Sequence, residues 1–324
     1  MVALCAVAVF SLSPPVPVWG ITVLLFFAAA AGGAVTGPSG SAILGWFGEH
    51  RHGTLLSLRV AAVPAGGAIG TLVYAWLLSR WGPSATFAVF AVACAACALL
   101  IWVFVLDPPR TKASPNRLGT GGERFPPALR KLSVWRVASS GLLLDVSQFL
   151  VLTFAATILA DQHRLDPSVG VAVVAGMQLL GGALRVAIGV GTDVYWWMSR
   201  SLVVRSLALT QVASLGLFAF GQSLALTVSL TAVAIAGVAS CAWQGAHFAQ
   251  IAHFAGREGA GSALGLNNAA TSLGAFIPQV AAGAVAAAWS WAGAVVLLGV
   301  IPALLAVFLF PTSHRADAAG ASVE

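Results

Sequence analysis

The chain has 324 residues, of which 59% are hydrophobic and 8% charged, with a mean hydropathy of +0.93 and a formal net charge of +6. Soluble globular domains are about 45–50% apolar, so this composition excludes a soluble domain and predicts a chain surrounded by lipid. The positive charges lie mainly between apolar runs, where membrane topology accounts for them, so we expect no binding to nucleic acid.

Long apolar runs occupy most of the sequence. The first, 1–13, ends at Pro14 and Pro15 and is shorter than the about 20 residues that a bilayer core of about 30 Å requires. The full-length runs cover approximately 18–47, 54–79, 84–106, 136–160, 167–192, 202–220, 224–253, 261–287 and 290–310. They predict an all-α polytopic membrane protein with about 10 transmembrane segments, four before a basic loop and six after it, the first of them partial.

A basic segment rich in Pro and Gly, from Asp107 to Arg136, separates these two groups of runs and holds seven of the sixteen Lys and Arg residues. The predicted domains are an incomplete N-terminal helical bundle (1–106), a central loop (107–135), a C-terminal six-helix bundle (136–310) and a tail (311–324). Because basic residues concentrate on the cytoplasmic side of membranes, we expect the central loop and the C-terminus to be cytoplasmic and the protein to lie in the plasma (inner) membrane.

Two ionisable residues, Asp145 and Arg185, fall inside predicted spans. Asp145 follows Arg136 by roughly 14 Å of helix, and Arg185 precedes Asp193 by roughly 12 Å, so the two lie at similar depth on consecutive antiparallel helices. A charge in the bilayer costs at least about 2.5 kcal/mol and requires a partner or a watery cavity. We therefore hypothesise an Asp145–Arg185 ion pair that a substrate or a proton breaks. The alternatives are a purely structural pair, or an Arg185 side chain that extends to the cytoplasmic surface.

Other polar side chains form stripes on the predicted helices. Gln148 lies one turn after Asp145, and Ser240, Gln244 and His247 share a helix face next to Trp243 in mid-span. His247 either carries a proton or is satisfied by Gln244 or Ser240. Further candidates, which contact either a solute or a neighbouring helix, are Gln178, Asn267, Asn268 and Thr271.

The sequence shows no recognisable catalytic or metal-binding pattern. Cys94 and Cys97 form a Cys-x-x-Cys inside an apolar run, without the further ligands of a metal site, and are interpreted as small packing residues. No nucleophile–base pair or phosphate-binding loop is evident. We expect neither an enzyme nor a cofactor.

Three motifs resemble parts of the major facilitator superfamily. The first, WFGEHRHGTLLSLRVAAVPAGGAIG (46–70), is similar to the connection between the family's fourth and fifth helices. The second, RVAIGVGTD (185–193), is similar to the second copy of its cytoplasmic gating motif. The third, GREGAGSALGLNNAATSLGAFIPQ (256–279), is similar to the connection between its tenth and eleventh helices and to the eleventh helix. The resemblance, together with a basic loop ahead of six spans, implies a two-bundle helical transporter. It also implies a cytoplasmic gate at Gly189, Asp193 and Arg200, and a central cavity lined by the helices of Asp145 and His247.

The chain departs from the family's pattern in several places. Its first run corresponds to the family's third helix, so two helices and the first gating motif are missing from this alignment; we expect either a misplaced start codon or a shortened chain. Val194 stands where the gating motif has Arg, and Thr71 stands where the antiporter pattern has Pro.

The function implied is secondary active transport of a small solute by alternating access. Arg185 favours an organic or inorganic anion, and Asp145 or His247 is a candidate for proton coupling. The expected partners are the solute, protons and the lipid bilayer, with a monomeric chain. The alternative is a non-transporting membrane scaffold or an inactive truncated transporter.

Overall fold

The computed structural model describes Gly20, Trp46 and residues 52–104, 127–195, 198–220, 225–256 and 259–311. The predicted runs 1–13 and 18–47, apart from those two residues, lie outside this part, as do most of the basic loop, the tail beyond 311, and Arg51 and Arg257. The described residues fall into two compact units, 69–104 and 52–68 together with 127–311. The predicted domain boundaries stay a prediction.

Helices make up the described part of the chain, which contains no strand. They are α1 (His52–Phe104), a 3₁₀ turn (Pro127–Arg130), α2 (Leu132–His163), α3 (Pro167–Val194), α4 (Arg200–Ala219), α5 (Leu226–Ala242), α6 (Gln244–Ala255), α7 (Ala260–Ala288), α8 (Trp291–Val295), a π-helical turn (Val296–Val300) and α9 (Ile301–Leu309). Among the described residues, seven continuous stretches are long and apolar enough to cross a membrane. The all-α polytopic prediction is confirmed.

Helix α1 contains a break that divides it into two spans. Its apolar stretch of 48 residues would extend about 72 Å as one helix, more than twice the bilayer core. At Gly82 the backbone has φ 75° and ψ 178°, a conformation that side chains other than glycine rarely adopt. The rings of Tyr74 and Phe87 then meet edge to face at 6.4 Å, so the chain turns back on itself. The predicted runs 54–79 and 84–106 are these two halves.

The second unit has two apolar clusters with polar residues between them. One cluster is built around Leu150, Ile158 and Phe218, and the other around Leu144, Ile251 and Phe310. Asp145 lies between the α2 residues of the two clusters, and only 3% of it is exposed. The site described below occupies this boundary.

Basic side chains bind the carbonyl ends of helices at one end of this unit, which we call the basic end. Lys131 Nζ donates to Phe254 O (3.1 Å), Arg136 Nε to Leu309 O (3.1 Å) and Arg205 Nη2 to Phe310 O (2.8 Å). The last carbonyls of a helix have no intrahelical donor and carry the negative end of its dipole, so cations stabilise them. The same basic residues that indicate topology in the sequence therefore also cap α6 and α9.

Glycines allow close helix contacts at positions that the sequence did not single out. A Cβ on Gly274 of α7 would lie 2.1 Å from Leu142 O of α2, and one on Gly181 of α3 would lie 2.4 Å from Cys241 Cβ of α5. By contrast, no atom of the described part approaches within 4 Å of a Cβ built on the Gly-x-x-x-Gly residues of α7, Gly261 and Gly265. A Gly-x-x-x-Gly spacing therefore does not by itself mark a packed glycine in α7.

Candidate functional site

A one-residue break in the helical hydrogen bonds, at Trp243, forms the centre of the candidate site; the backbone of Trp243 itself keeps helical angles (φ −71°, ψ −28°). Helix α5 ends at Ala242 and α6 begins at Gln244, although the pair forms one continuous apolar stretch. The Trp243 side chain is completely buried, and its Nε1 donates to Gln148 Oε1 (3.1 Å). A polar group buried inside a span needs a partner there, and this hydrogen bond supplies one for the indole N–H.

Asp145 and Gln148 of α2 face this break. Gln244 Nε2 donates to Asp145 Oδ1 (3.1 Å) and more weakly to Gln148 Oε1 (3.4 Å). The carboxylate, two amides and the indole thus form one buried network between α2 and the α5–α6 junction. Of the predicted site residues, the structure brings Asp145, Gln148, Trp243 and Gln244 together.

Arg185 of α3 binds backbone carbonyls rather than a carboxylate. Its Nε donates to Cys241 O (2.7 Å), its Nη2 to the same oxygen, and its Nη1 to Val60 O (2.8 Å). The guanidinium is 1% exposed. The hypothesised ion pair is therefore not formed in this conformation, because Asp145 and Arg185 are each bound to a different partner. Their partners Gln244 and Cys241 are three residues apart, which agrees with the common depth inferred from sequence.

His247 is held one turn beyond Trp243. Its Nε2 lies 3.0 Å from Val137 O and 3.3 Å from Ser140 Oγ, and its ring contacts Trp243 and Phe310. Because a carbonyl only accepts, Nε2 carries a hydrogen. Nδ1 has no hydrogen-bond partner among the described residues. The sequence-based partners Ser240 and Gln244 are replaced by Val137 and Ser140, since Ser240 donates to Gly237 O and Gln244 binds Asp145.

The remaining candidates lie outside this network. Gln178 of α3 is 8% exposed and packs where a Cβ on Gly67 would overlap it. Asn267 of α7 is fully buried, and its amide has no hydrogen-bond partner in the described part of the chain, whereas Asn268 is half-buried and accepts at its carbonyl from Thr271 Oγ1 (3.1 Å). Thr271 approaches Gly141, as His247 does, so this stretch of α7 borders the His247 region.

At the basic end, Asp193 binds the start of α1. Its Oδ2 accepts from the backbone N–H (2.6 Å) and the hydroxyl (2.9 Å) of Thr54, while Arg200 Nη2 lies 3.7 Å from Oδ1. The first N–H groups of a helix lack intrahelical acceptors and favour a negative charge, so a carboxylate is well placed there. Gly189 is buried one turn earlier, and its carbonyl accepts from Thr192 Oγ1 (3.0 Å).

Two apolar grooves lie away from these polar groups. One lies between α4 and α5 and the other between α4 and the α8–α9 span. Neither is lined by a predicted site residue. Within the described ranges, no three His, Cys, Asp or Glu side chains are grouped to hold a metal ion.

The family model described as Major Facilitator Superfamily matches residues 1–279 of this chain. The chain belongs to the major facilitator superfamily. It is also 30% identical to two proteins of Mycobacterium tuberculosis strains, each described as an uncharacterized MFS-type transporter. Each match covers 95% of this chain and 68% of the relative.

Membership of this superfamily confirms the coarse functional prediction. The protein is an integral membrane transporter of small solutes and not an enzyme.

Several contacts described above were not predicted from the sequence. Thr54 and the carbonyls of Val60 and Cys241 were not singled out. The Val60 carbonyl had a detectable signal in Pro64, because a proline inside a helix leaves the carbonyl four residues earlier without a donor. Thr54 and Cys241 had none, since their contacts join segments far apart in the chain.

Proposed function

We propose that this protein is a secondary active transporter that moves a small anion by alternating access, with coupling to protons. The observation that supports this most directly is the buried network of Asp145, Gln148, Trp243 and Gln244 inside the membrane-spanning helices. Ionisable and amide side chains are costly in a bilayer and are retained where they serve a solute or ion path.

The proposed translocation residues are those of the network together with Arg185, His247 and three amide side chains. Arg185 supplies the positive charge that favours an anionic solute. In this conformation its donors are occupied by carbonyls, so an anion gains them only after the helices rearrange. The full set is Asp145, Gln148, Gln178, Arg185, Trp243, Gln244, His247, Asn267 and Asn268.

Asp145 is the stronger candidate for proton coupling. One of its carboxylate oxygens accepts a hydrogen bond from Gln244, whereas the ring of His247 is packed against Trp243 and Phe310 and is bonded to Val137. A carboxyl group surrounded by amides can exchange a proton without breaking helix packing.

The gate is proposed at Gly189, Asp193 and Arg200, with the basic end on the cytoplasmic side of the plasma (inner) membrane. The bonds from Thr54 to Asp193 close this end, and the concentration of basic residues there supports the orientation. A monomer remains the proposed state.

The test is transport by the purified protein in liposomes with an imposed proton gradient. A panel of labelled carboxylates and inorganic anions is offered, and both gradient-driven accumulation and solute exchange at equal pH are measured. Asp145→Asn is expected to abolish accumulation and to preserve exchange, because exchange requires no net proton movement. The matched control is Asp161→Asn, an exposed acid on the same helix, which is expected to behave as the parent.

Three outcomes would contradict parts of this proposal. Equal accumulation by Asp145→Asn and the parent would exclude Asp145 as the coupling residue. Uptake of neutral or cationic solutes alone would exclude the anion. Failure of the parent to transport any solute would favour a non-transporting scaffold.

A further inference from the structure

Arg185 connects three segments of the bundle through one guanidinium. It lies on α3, binds the carbonyl of Cys241 at the end of α5, and reaches the carbonyl of Val60 in the first turns of α1. These bonds use donors on all three guanidinium nitrogens. The bond from Nη1 to Val60 O therefore requires segment 52–68 to stay against α3.

The Val60 carbonyl is available because of Pro64. In an α-helix the carbonyl of residue 60 accepts from the N–H of residue 64, and proline has no N–H. In a bilayer no water replaces that donor, so the oxygen requires another partner. Arg185 Nη1 supplies it at 2.8 Å.

The Cys241 carbonyl lies two residues before the break in helical hydrogen bonds at Trp243. It accepts from Arg185 Nε (2.7 Å) and Nη2, and the helical ladder continues with His247 N–H donating to Trp243 O (3.2 Å). One arginine thus bonds to a carbonyl beside this break and to the Val60 carbonyl, which Pro64 leaves without a helical donor.

Small residues hold segment 52–68 close enough for this contact. A Cβ on Gly182 of α3 would lie 3.2 Å from Pro64 Cγ, and one on Gly245 of α6 would lie 2.6 Å from Ser57 Oγ. Val60 lies six residues beyond Thr54, roughly 9 Å deeper in the bundle. The Arg185 contact is therefore a second layer of closure beneath the Asp193–Thr54 contact.

We propose that Arg185 is an intramembrane latch that holds segment 52–68 on α3 and α6, and that Pro64 creates its binding site by leaving the Val60 carbonyl without a helical donor. This inference rests on the alternating access proposed above, in which segment 52–68 separates from α3 when the basic end opens. The solute proposed above reaches Arg185 only after the latch has opened.

The test measures the distance between spin labels at Leu58→Cys and Val190→Cys in a background whose four native cysteines are replaced by alanine. Both positions are exposed, at 57% and 40%, and each lies about one turn from the Asp193–Thr54 contact. The protein is studied in lipid nanodiscs without solute. Arg185→Gln removes the donor, whereas Pro64→Ala restores the helical N–H for Val60.

Each variant is expected to raise the ratio of long-distance to short-distance populations about tenfold, since a hydrogen bond from a charged donor corresponds to at least this factor. The double variant is expected to match the single variants, because both changes remove the same bond. The matched controls are Pro278→Ala, a proline inside α7, and Arg205→Gln, an arginine that caps α9. Both controls are expected to leave the distribution unchanged.

Unchanged distance distributions in Arg185→Gln and Pro64→Ala would overturn the proposed latch. A double variant that raises the ratio of long-distance to short-distance populations by the product of the two single increases would also overturn it. Should Arg185→Gln fail to fold, the comparison of Pro64→Ala with Pro278→Ala decides. Because no solute is present, this result is independent of the uptake assays. A protein that shows the distance shifts and transports nothing would contradict the proposed function and leave the latch supported.

Discussion

Four basic side chains of the described residues bind carbonyls at or near the ends of helices. Lys131, Arg136 and Arg205 bind the ends of α6 and α9, and Arg185 binds the end of α5. Arg185 lies inside a span, where an unsatisfied carbonyl costs several kcal/mol, which exceeds the about 0–1 kcal/mol of an exposed salt bridge. For Arg185, satisfying carbonyls is therefore the larger contribution to stability.

Asp166 is a single-residue cap whose effect depends on pH. It precedes α3 outside the membrane-spanning part, and its Oδ1 accepts from Ser168 N–H (2.8 Å). Hydrogen bonds from the Ser168 side chain and backbone lower the pKa of Asp166. A lowered pKa in the folded state means that the stabilisation is complete at neutral pH and is lost as the pH falls from about 4 through the lowered value.

We therefore expect the amide protection factors in the first turn of α3 to decrease as the pH is lowered below about 4, measured by hydrogen–deuterium exchange. Asp166→Asn, which keeps an acceptor oxygen without a titrating group, should remove the pH dependence, and Asp166→Ala should lower protection at every pH. Equal pH dependence in the parent and in Asp166→Asn would show that another group is responsible.

At the level of helices, the two internal breaks differ in how visible they are in the sequence. The break at Gly82 lies between the predicted runs 54–79 and 84–106, so the sequence predicted a turn there. Its backbone conformation in the structure is one that favours glycine. The break at Trp243 lies inside an uninterrupted apolar run with no Gly or Pro at the junction itself. It is held by contacts from α2 and α3, which are distant in sequence.

The contact of α2 with α7 allows a matched test of helix packing. Gly274→Ala would place a methyl group 2.1 Å from Leu142 O, whereas a Cβ on Gly283 of the same helix meets no described atom within 4 Å. We expect Gly274→Ala to destabilise the protein by about 1–3 kcal/mol through overpacking. Gly283→Ala should be neutral or stabilising by up to about 1 kcal/mol, because alanine favours the helix.

This comparison is made by measuring the midpoints of thermal unfolding of the parent, Gly274→Ala and Gly283→Ala, all in one detergent. If both variants unfolded at the parent's temperature, α7 would have to shift away from α2 at little cost, and the close approach at Gly274 would not be important for stability.

At the scale of the whole molecule, the contact at Asp193 is expected to control access from the basic end. The Thr54 bonds of 2.6 and 2.9 Å go to a charged acceptor, whereas the Arg200 distance of 3.7 Å is that of a partly exposed ion pair. Charged hydrogen bonds are worth about 1.5–3 kcal/mol and exposed pairs about 0–1 kcal/mol. Thr54 therefore contributes more to this closure than Arg200 does.

A cysteine at Ser57, which is 1% exposed and lies one turn inside this contact, reports on the opening. With a membrane-impermeant maleimide added from the basic end, Asp193→Ala should raise the labelling rate about tenfold. Arg200→Gln should raise it less than about fivefold. Asp161→Asn serves as the control for loss of an acid elsewhere. A larger effect of Arg200→Gln than of Asp193→Ala would reverse the assignment of the closing bond.

The sequence by itself determined the class, the spans and the family of this protein. An apolar run of about 20 residues has one stable form in lipid, because only a helix satisfies its own backbone there. The predicted runs from 136 onward consequently agree with α2 to α9 to within a few residues. The motifs at 46–70, 185–193 and 256–279 indicated the superfamily to which the chain belongs.

Only the tertiary structure decided which polar groups meet. Helical spacing gave the depth of Asp145 and Arg185 but not the direction of their side chains, so it predicted a pair where the structure has two separate partners. The partners of Arg185 are backbone carbonyls, which every residue carries. Pro64 marks the Val60 carbonyl as lacking a helical donor, but no sequence pattern shows that Arg185 reaches it or that the same guanidinium binds Cys241 O. These contacts depend on the close packing of α3, which exists only in the folded bundle.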